Sequence, residues 1–371
     1  MKILFVDTYY PKFLESFRKD NPGYLKYSYS KYKDKLLGTC FGTSDFYSHN
    51  LRKLGHEVDD LIINDRILQK KWAEENNLKF KDNLLFSFLQ NIPFAYKIFG
   101  RPKWIQETAL KQIEKYKPDI VYMQDLGILD SDTLKAVKQY CQLLVGQIAS
   151  PMPSSKKIKR FDLIITSFPH YVSKFKNMGI KSEYQKLAFE PRILERIGVN
   201  KKMYSLTFVG SFTPYHQEGT KLLEEVAKQI PVHVWGQGIE FLSPFSPLRK
   251  NYHGEAWGLD MYKILAQSKI VINRHIGVSG KYANNMRLYE ATGMGAMLIT
   301  DRKRNLNDIF KVGKEAIDYK DKDDLVAKLK FYLKNDEERQ KITIAGQRKT
   351  LNYHDYKSRM NELSKILYKY I

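Results

Sequence analysis

Short apolar runs alternate with amphipathic stretches along most of the chain. Positions 3–6 are apolar, a polar and aromatic loop follows, and positions 45–54 carry helical spacing closed by Gly55. Thr43, Ser44 and Asp45 are residue types that cap helix starts, and Gly55 suits the left-handed position just past a helix end. A second apolar run at 58–63 completes a β-α-β opening. The alternation then predicts a helix over 108–116 stopped by Lys117-Pro118, a strand over 119–123 and a helix over 131–140. Strands over 143–148 and 161–166 and a helix over 171–178 ended by Gly179 follow. Short all-apolar strands between amphipathic helices predict a parallel sheet covered on both faces.

Around 190–200 the periodicity lapses, with Pro191, Gly198 and a charged stretch ending in Lys201-Lys202, the pattern of a linker. A second alternation starts with a strand over 205–209 running into Gly210-Ser211. Helices over 220–229, 260–267, 284–292 and 322–335 and strands over 232–235, 270–273 and 296–300 follow, then a terminal helix from about 354. The expected fold class is α/β, with two Rossmann-like halves in tandem: domains over 1–195 and 203–350 and a terminal helix over 351–371 returning toward the first. Parallel sheets gather strand carboxyl ends and helix amino ends at one edge, so facing edges would form a cleft between the domains.

Composition narrows the partners. The 371 residues suffice for two or more domains of about 150 residues each, and 43% hydrophobic residues exclude disorder as the dominant state. A net charge of +21 favours anionic company, whether phosphate, nucleotide, nucleic acid or an acidic membrane. Cys40 and Cys141, without CxxC spacing, point to a reducing cytoplasm. The opening apolar run of four residues reads as a first strand, since a signal peptide carries about 7 to 15. Positions 84–100 are broken by Gln90, Asn91, Pro93 and Lys97 and fall short of a membrane span. The stretch 84–104 reads as an internal helical pair or a surface resting on lipid, which leaves open a peripheral place at the inner face of the membrane.

The most informative segment is 284–300. A helix begins near Asn284 and Asn285, carries Arg287 and Glu290 three positions apart, and ends at Gly293 before an apolar strand. One reading is a solvated ion pair. The other puts a diphosphate against the helix start, where free N–H groups and the macrodipole attract anions, with Arg287 adding a fork of donors and Glu290 accepting from ribose hydroxyls. Gly210-Ser211 allows backbone to approach a phosphate or simply ends a strand. Tyr215 and His216, in the next loop, are phosphate or sugar contacts or plain surface residues. His253-Gly254 is either a turn or a place where backbone holds a base. In the first half Asp45 reads as a general base, an N-cap or both, and Asp125 as a second base candidate. His49 reads as structural. The histidines form no HxH or HxxxH pair, so no protein metal site is expected. Tyrosines interleaved with Lys and Arg over 9–35 suit stacking on sugars, an anionic membrane, single-stranded nucleic acid or an insertion packed on its own domain.

The pattern Asn285, Arg287, Glu290, Ala291, Gly295 before a strand resembles the nucleotide-sugar helix of GT-B glycosyltransferases of group 1, and in particular the group that includes the spore-maturation protein CgeB. Positions 206–211, 234–236, 252–254, 161–167 and 354–356 fit the same family in order and spacing. The resemblance implies a nucleotide-diphosphate-sugar donor bound by Gly210, Ser211, Tyr215, His216, Gly236, His253, Gly254, Asn284, Asn285, Arg287 and Glu290. It implies transfer to a hydroxyl of a surface glycan, glycoprotein or lipid-linked acceptor, without a metal or other cofactor, with Asp45, Asp125 and Arg287 as catalytic candidates. Many retaining members carry a second glutamate eight positions before the ribose-binding one. Here Tyr282 stands in that place, so the choice between retention and inversion stays open. A nucleotide-sugar epimerase is the related alternative. A polyanion-binding protein is the unrelated one, although without zinc-finger spacing, an RNP-like string or a basic cluster no nucleic-acid partner is expected.

Overall fold

The computed structural model describes residues 1–81 and 101–371. The stretch 84–100, expected as a helical pair or a lipid-facing surface, lies outside the described residues. The chain divides into two units, Met1–Gln185 together with Met360–Ile371, and Lys186–Arg359.

The first unit is built on six parallel strands, β1 (Lys2–Asp7), β2 (Glu57–Ile62), β3 (Ile120–Met123), β4 (Leu143–Ile148), β5 (Leu163–Thr166) and β6 (Lys181–Tyr184), in the order β2-β1-β3-β4-β5-β6. β1, β3, β4 and β5 are buried over nearly their whole length, as a sheet covered on both faces requires. The aromatic segment after β1 is helical rather than a loop. Pro11 opens α1 (Pro11–Asp20), and the Ser28 side chain caps α2 (Tyr29–Leu37) by accepting from the Lys31 N–H. Phe13, Leu14 and Phe17 form the buried face of α1. Tyr32 is fully buried, and its hydroxyl donates to Asp65 at 2.7 Å. Tyr29 donates to Gln112 at 3.1 Å. These contacts make the tyrosine-rich segment an insertion packed on its own unit. The next helix, α3 (Phe46–Arg52), is shorter than the spacing predicts, and a turn with Cys40 at φ 58° and Ser44 at φ 46° precedes it. Helices α4 (Arg66–Glu75), α5 (Lys103–Tyr116), α6 (Ser131–Val137), α7 (Ser155–Ile158) and α8 (Pro169–Asn177) complete the layers.

The second unit holds α9 (Arg192–Ile197), β7 (Tyr204–Val209), α10 (Gln217–Ala227), β8 (His233–Trp235), α11 (Gly258–Ala266) and β9 (Ser268–Asn273). It continues with α12 (Met286–Gly293), β10 (Met297–Asp301), β11 (Ile317–Tyr319), α13 (Lys322–Lys334) and α14 (Asp336–Tyr353). Its five parallel strands run β11-β10-β9-β7-β8. Leu206, Val234, Ile270, Ile272, Met297 and Ile299 from the strands pack with Leu223, Val226, Leu325 and Leu329 from α10 and α13. Residues 186–195 belong to this unit because Phe189 bonds to the backbone on either side of Asp355, with its N–H on His354 O at 2.8 Å and its carbonyl taking the Tyr356 N–H at 2.9 Å. The last helix, α15 (Tyr356–Tyr370), opens here, and from Met360 its residues belong to the first unit. There Ser364 meets His56 at 2.8 Å, and Glu183 accepts from Lys369 and Tyr370 at 2.8 and 2.7 Å.

Both sheets are doubly wound. In the first unit the chain leaves β1 toward β2 and returns past it to β3. In the second it leaves β7 toward β8 and returns to β9. Outside the carboxyl ends of such strand pairs a crevice opens, the usual ligand place of open α/β sheets.

Asp60, on β2, is 4% exposed, and burial pushes its carboxyl up to about 7 against the opposing Ser48 hydroxyl and Arg52. The folded protein therefore keeps a proton there that the unfolded chain has released. The associated stability is full below about pH 4 and is lost as pH rises through 7, by up to ~1.4 kcal/mol per pH unit. Asp60→Asn should flatten the fall in thermal midpoint between pH 4.5 and 7.5. Parallel profiles for variant and wild type would contradict this.

Candidate functional site

The loops after β7 and β9 enclose a cavity of about 280 Å³ in the second unit, lined by Ser211, Tyr215, His216, Thr220, Arg274 and His275 among others. Three residues expected from sequence to contact a donor therefore share one crevice. Tyr215 is exposed. His216 stands at the start of α10 with its Nδ1 2.8 Å from Thr213 Oγ1, and burial pushes its imidazole below the ordinary range. Ser211 Oγ accepts weakly from Gln237 at 3.4 Å.

Two residues that sequence reasoning missed complete the crevice. Arg274 and His275 directly follow β9, and pairing of Asn273 with Thr300 brings Asp301 alongside them. Asp301 Oδ1 accepts from the His275 N–H at 2.9 Å and contacts His275 Nδ1 at 2.6 Å, while Oδ2 meets Lys303 at 3.2 Å. Burial pushes the Asp301 carboxyl up, but the hydrogen bond and charge of His275, with Lys303, hold it below the usual carboxylate range. The sequence signal was slight, an Arg-His pair after an apolar strand.

At α12 the Asn285 side chain accepts from the Arg287 N–H at 2.7 Å and so caps the helix. Asn284 stands half-buried one residue earlier. Arg287 and Glu290 do pair, Nη1 to Oε2 at 2.6 Å, yet the pair is buried rather than solvated, with side chains 13% and 7% exposed. Glu290 Oε1 also takes a long bond from Tyr262 at 3.4 Å. Arg287 Nη1 lies 3.0 Å from Met261 Sδ, and its buried Nε has no hydrogen-bond partner. A buried pair of this kind adds little net stability, and a donor left unmatched inside a protein is costly.

The glycines and His253 are tied up in the framework. A Cβ on Gly236, at φ +147°, would lie 1.7 Å from Gly210 O, so this glycine permits close contact between two loops. Gly210 itself faces the Phe208 ring. The His253 N–H is spent on Val234 O, and Gly254 O accepts the Gly236 N–H. The His253 ring stacks on Trp235 at 4.5 Å and bonds His233 at 2.9 Å. Of the groups expected to hold a base, only the His253 carbonyl and the Gly254 N–H are not used in these contacts.

In the first unit Asp125 follows β3, where Oδ2 accepts from Thr8 Oγ1 at 2.9 Å and Oδ1 from the Gly127 N–H at 2.7 Å. Asp7 ends the adjacent β1 and was not singled out from sequence. Burial pushes its carboxyl up to about 7 against the Thr8 N–H, and the charge of Asp125 adds to the rise. Asp45 occupies the cap position of α3, but its side chain does not cap the helix. Thr43 donates to Gln124 at 3.0 Å. Asp7, Thr43, Gln124 and Asp125 thus gather at the switch point of this sheet. Among the described residues no group of three or more His, Cys, Asp or Glu is arranged to hold a metal, and no helix is long and apolar enough to cross a membrane.

With this geometry in view, residues 217–365 match the family model described as glycosyl transferase-like. The whole chain superposes on a glycosyltransferase from Rickettsia africae ESF-5 with a TM-score of 0.59 at 12% identity, covering 99% of this chain and 97% of that one. HepE of Anabaena, solved with UDP and glucose, gives 0.59 at 13% identity with 100% of both chains covered. Sucrose-phosphate synthase from Thermosynechococcus elongatus gives 0.59 at 10% identity, covering 99% and 98%. No curated protein matches the sequence significantly. The fold is GT-B, and the chain carries a glycosyl transferase-like domain.

Gly236→Ala should destabilise the second unit by roughly 3 kcal/mol or more through overpacking against Gly210. Gly254→Ala, at φ +90° with open space around it, should cost only about 1–2 kcal/mol. Denaturant unfolding of the two variants checks the order, and equal losses would show that the contact between the loops is not the constraint.

Proposed function

We propose that the second unit binds a nucleotide-diphosphate sugar and that the sugar passes to an acceptor hydroxyl taken by the first. The observation that carries this reading is the buried Arg287–Glu290 pair at the capped start of α12, with an unmatched guanidinium nitrogen. An oxyanion there would meet the Met286 N–H, the Arg287 and Leu288 N–H groups being taken by Asn285, and a cation held in place by Glu290. Glu290 keeps lone pairs for ribose hydroxyls, because a carboxylate offers about four acceptor sites and, among the described residues, the side chains that bond to it are Arg287 and, at long range, Tyr262. UDP is the first donor nucleotide to test, since HepE has been solved with UDP-glucose as well as with UDP.

In this reading the diphosphate leaves as the acceptor attacks, and the Met286 N–H and Arg287 meet its growing charge without a resident metal. A carboxylate of the first unit, Asp45 or Asp125, takes the acceptor proton. Asp125 has Asp7 beside it, whose proton exchanges near neutral pH, as general acid-base work demands. The acceptor belongs to a surface glycan, glycoprotein or lipid-linked carrier. With a lipid-linked acceptor the +21 charge would hold the protein against the anionic inner face of the membrane.

A thermal-shift panel of UDP, GDP, dTDP, CMP and their sugars tests the donor, because a ligand that binds only the folded state raises the midpoint. One nucleotide should stabilise the wild type, and Glu290→Ala should lose that shift. No shift from any of them would defeat the reading.

A further inference from the structure

The tyrosine-rich segment of the first unit has no part in the transfer reading, yet it walls a second cavity. At the amino ends of β1 and β2 lies a space of about 320 Å³, bordered by Tyr29 of α2, Trp72 of α4, Gln112 and Tyr116 of α5, and Glu57 and Asp59 of β2. That volume suits a single small ligand. The place is separate from the switch point of the sheet. Lys2 opens β1 beside the cavity and Asp7 closes the same strand, which sets the two about 16 Å apart at the rise of an extended chain.

The walls are held in place by the unit itself. The Tyr29 N–H donates to Glu75 at 2.6 Å, and its hydroxyl donates to Gln112 Oε1 at 3.1 Å. Gln112 donates to Gln69, and Gln69 to the Ile62 carbonyl at 2.8 Å, so the amide is tied to the sheet. The charges are paired as well. Lys2 meets Glu57 at 2.9 Å, Lys33 meets Asp59 at 2.7 Å, and Lys115 bonds to Asn76.

Other groups are left for a ligand. Trp72 is 8% exposed, and among the described residues its indole N–H and the Tyr116 hydroxyl make no hydrogen bond. Burial and the charge of Asp59 push the Tyr29 and Tyr116 phenols above their ordinary range, so both stay neutral. The Glu57 side chain is 64% exposed, and a carboxylate offers about four acceptor sites. Aromatic surfaces edged by such donors and acceptors match a neutral ring that carries hydroxyls, since its C–H face lies on an arene while each hydroxyl donates and accepts. A wholly apolar ligand would leave the donors unmatched, and an ion would find its counter-charge already taken.

We propose that this cavity is a carbohydrate-binding site for one neutral sugar unit, apart from the transfer centre. Binding is non-covalent. Its use, to hold a remote sugar of the acceptor glycan, rests on the reading that the first unit takes the acceptor, whereas the site itself does not.

Saturation-transfer NMR tests it on the full chain with glucose, galactose, mannose, N-acetylglucosamine and maltotriose, with glucuronate and glucosamine as charged controls. Irradiation of aromatic resonances should transfer saturation to the ring C–H protons of at least one neutral sugar. Tyr116→Ala, and Trp72→Phe, which keeps a ring and removes the N–H, should each weaken that sugar by roughly two- to tenfold. Asp125→Asn, at the switch point, should leave it unchanged. Circular dichroism confirms that each variant is folded. No transfer to any neutral sugar, or binding that neither Tyr116→Ala nor Trp72→Phe weakens, overturns the proposal. A preference for glucuronate or glucosamine over every neutral sugar overturns it as well. The nucleotide panel separates the two readings: sugar binding that depends on Tyr116, with no nucleotide bound, defeats the donor reading and keeps this site, and nucleotide binding without sugar binding does the reverse.

Discussion

The reversal of strand order at β7 is the constraint on which the second unit depends. β8 lies on one side of β7 and β9 on the other, so the loops leaving β7 and β9 diverge and cannot fill the space between them with their own backbone. The crevice that results is bordered by the start of α10 and by Arg274 and His275. Register then completes the chemistry. β10 pairs with β9 so that Asp301 comes level with the residues just past Asn273, and an aspartate 26 positions away in sequence becomes the hydrogen-bond partner of a buried histidine.

A second set of contacts keeps this framework tight. Gly236 lets the loop after β8 press against Gly210 with no room for a methyl group. At the far end of α12, the Phe189 ring fills the place of a side chain at Gly293, Gln347 donates to the Gly293 carbonyl at 2.9 Å, and the Thr292 and Thr350 hydroxyls meet at 2.6 Å. A helix held so firmly by its carboxyl end presents its capped amino end at a fixed place. A buried ion pair such as Arg287–Glu290 can therefore be maintained as an oriented group despite its small net stability.

The first unit repeats the same topology with different residues at its strand ends. At its switch point stand carboxylates, Asp7 and Asp125, with threonine and glutamine partners. The second unit presents arginine, histidine and helix N–H groups at the equivalent place. One sheet plan thus serves two chemistries, because the plan supplies only the crevice and the residues that end the strands supply the charge.

Much of the fold was legible in the chain. Fully covered parallel strands must be apolar over their whole length, and residues 3–6, 120–123, 270–273 and 297–300 announce this directly. The start of α12 was legible for a related reason, since a cap residue and an i,i+3 pair act within one turn. Local rules do not reach the helices at Pro11–Asp20 and Tyr29–Leu37, whose aromatic faces become stable only against their own unit. Nor do they reach α14, an 18-residue helix with few apolar positions. Sequence alone determined the alternation of strands and helices, the two-unit plan and the Asn285-capped helix start with its Arg287–Glu290 spacing. Only the tertiary structure decided that Arg287 and Glu290 are buried, that His253 is spent on Trp235 and His233, and that Asp301 meets His275. Those facts depend on register and strand order, which join residues too far apart in sequence for any local pattern to register.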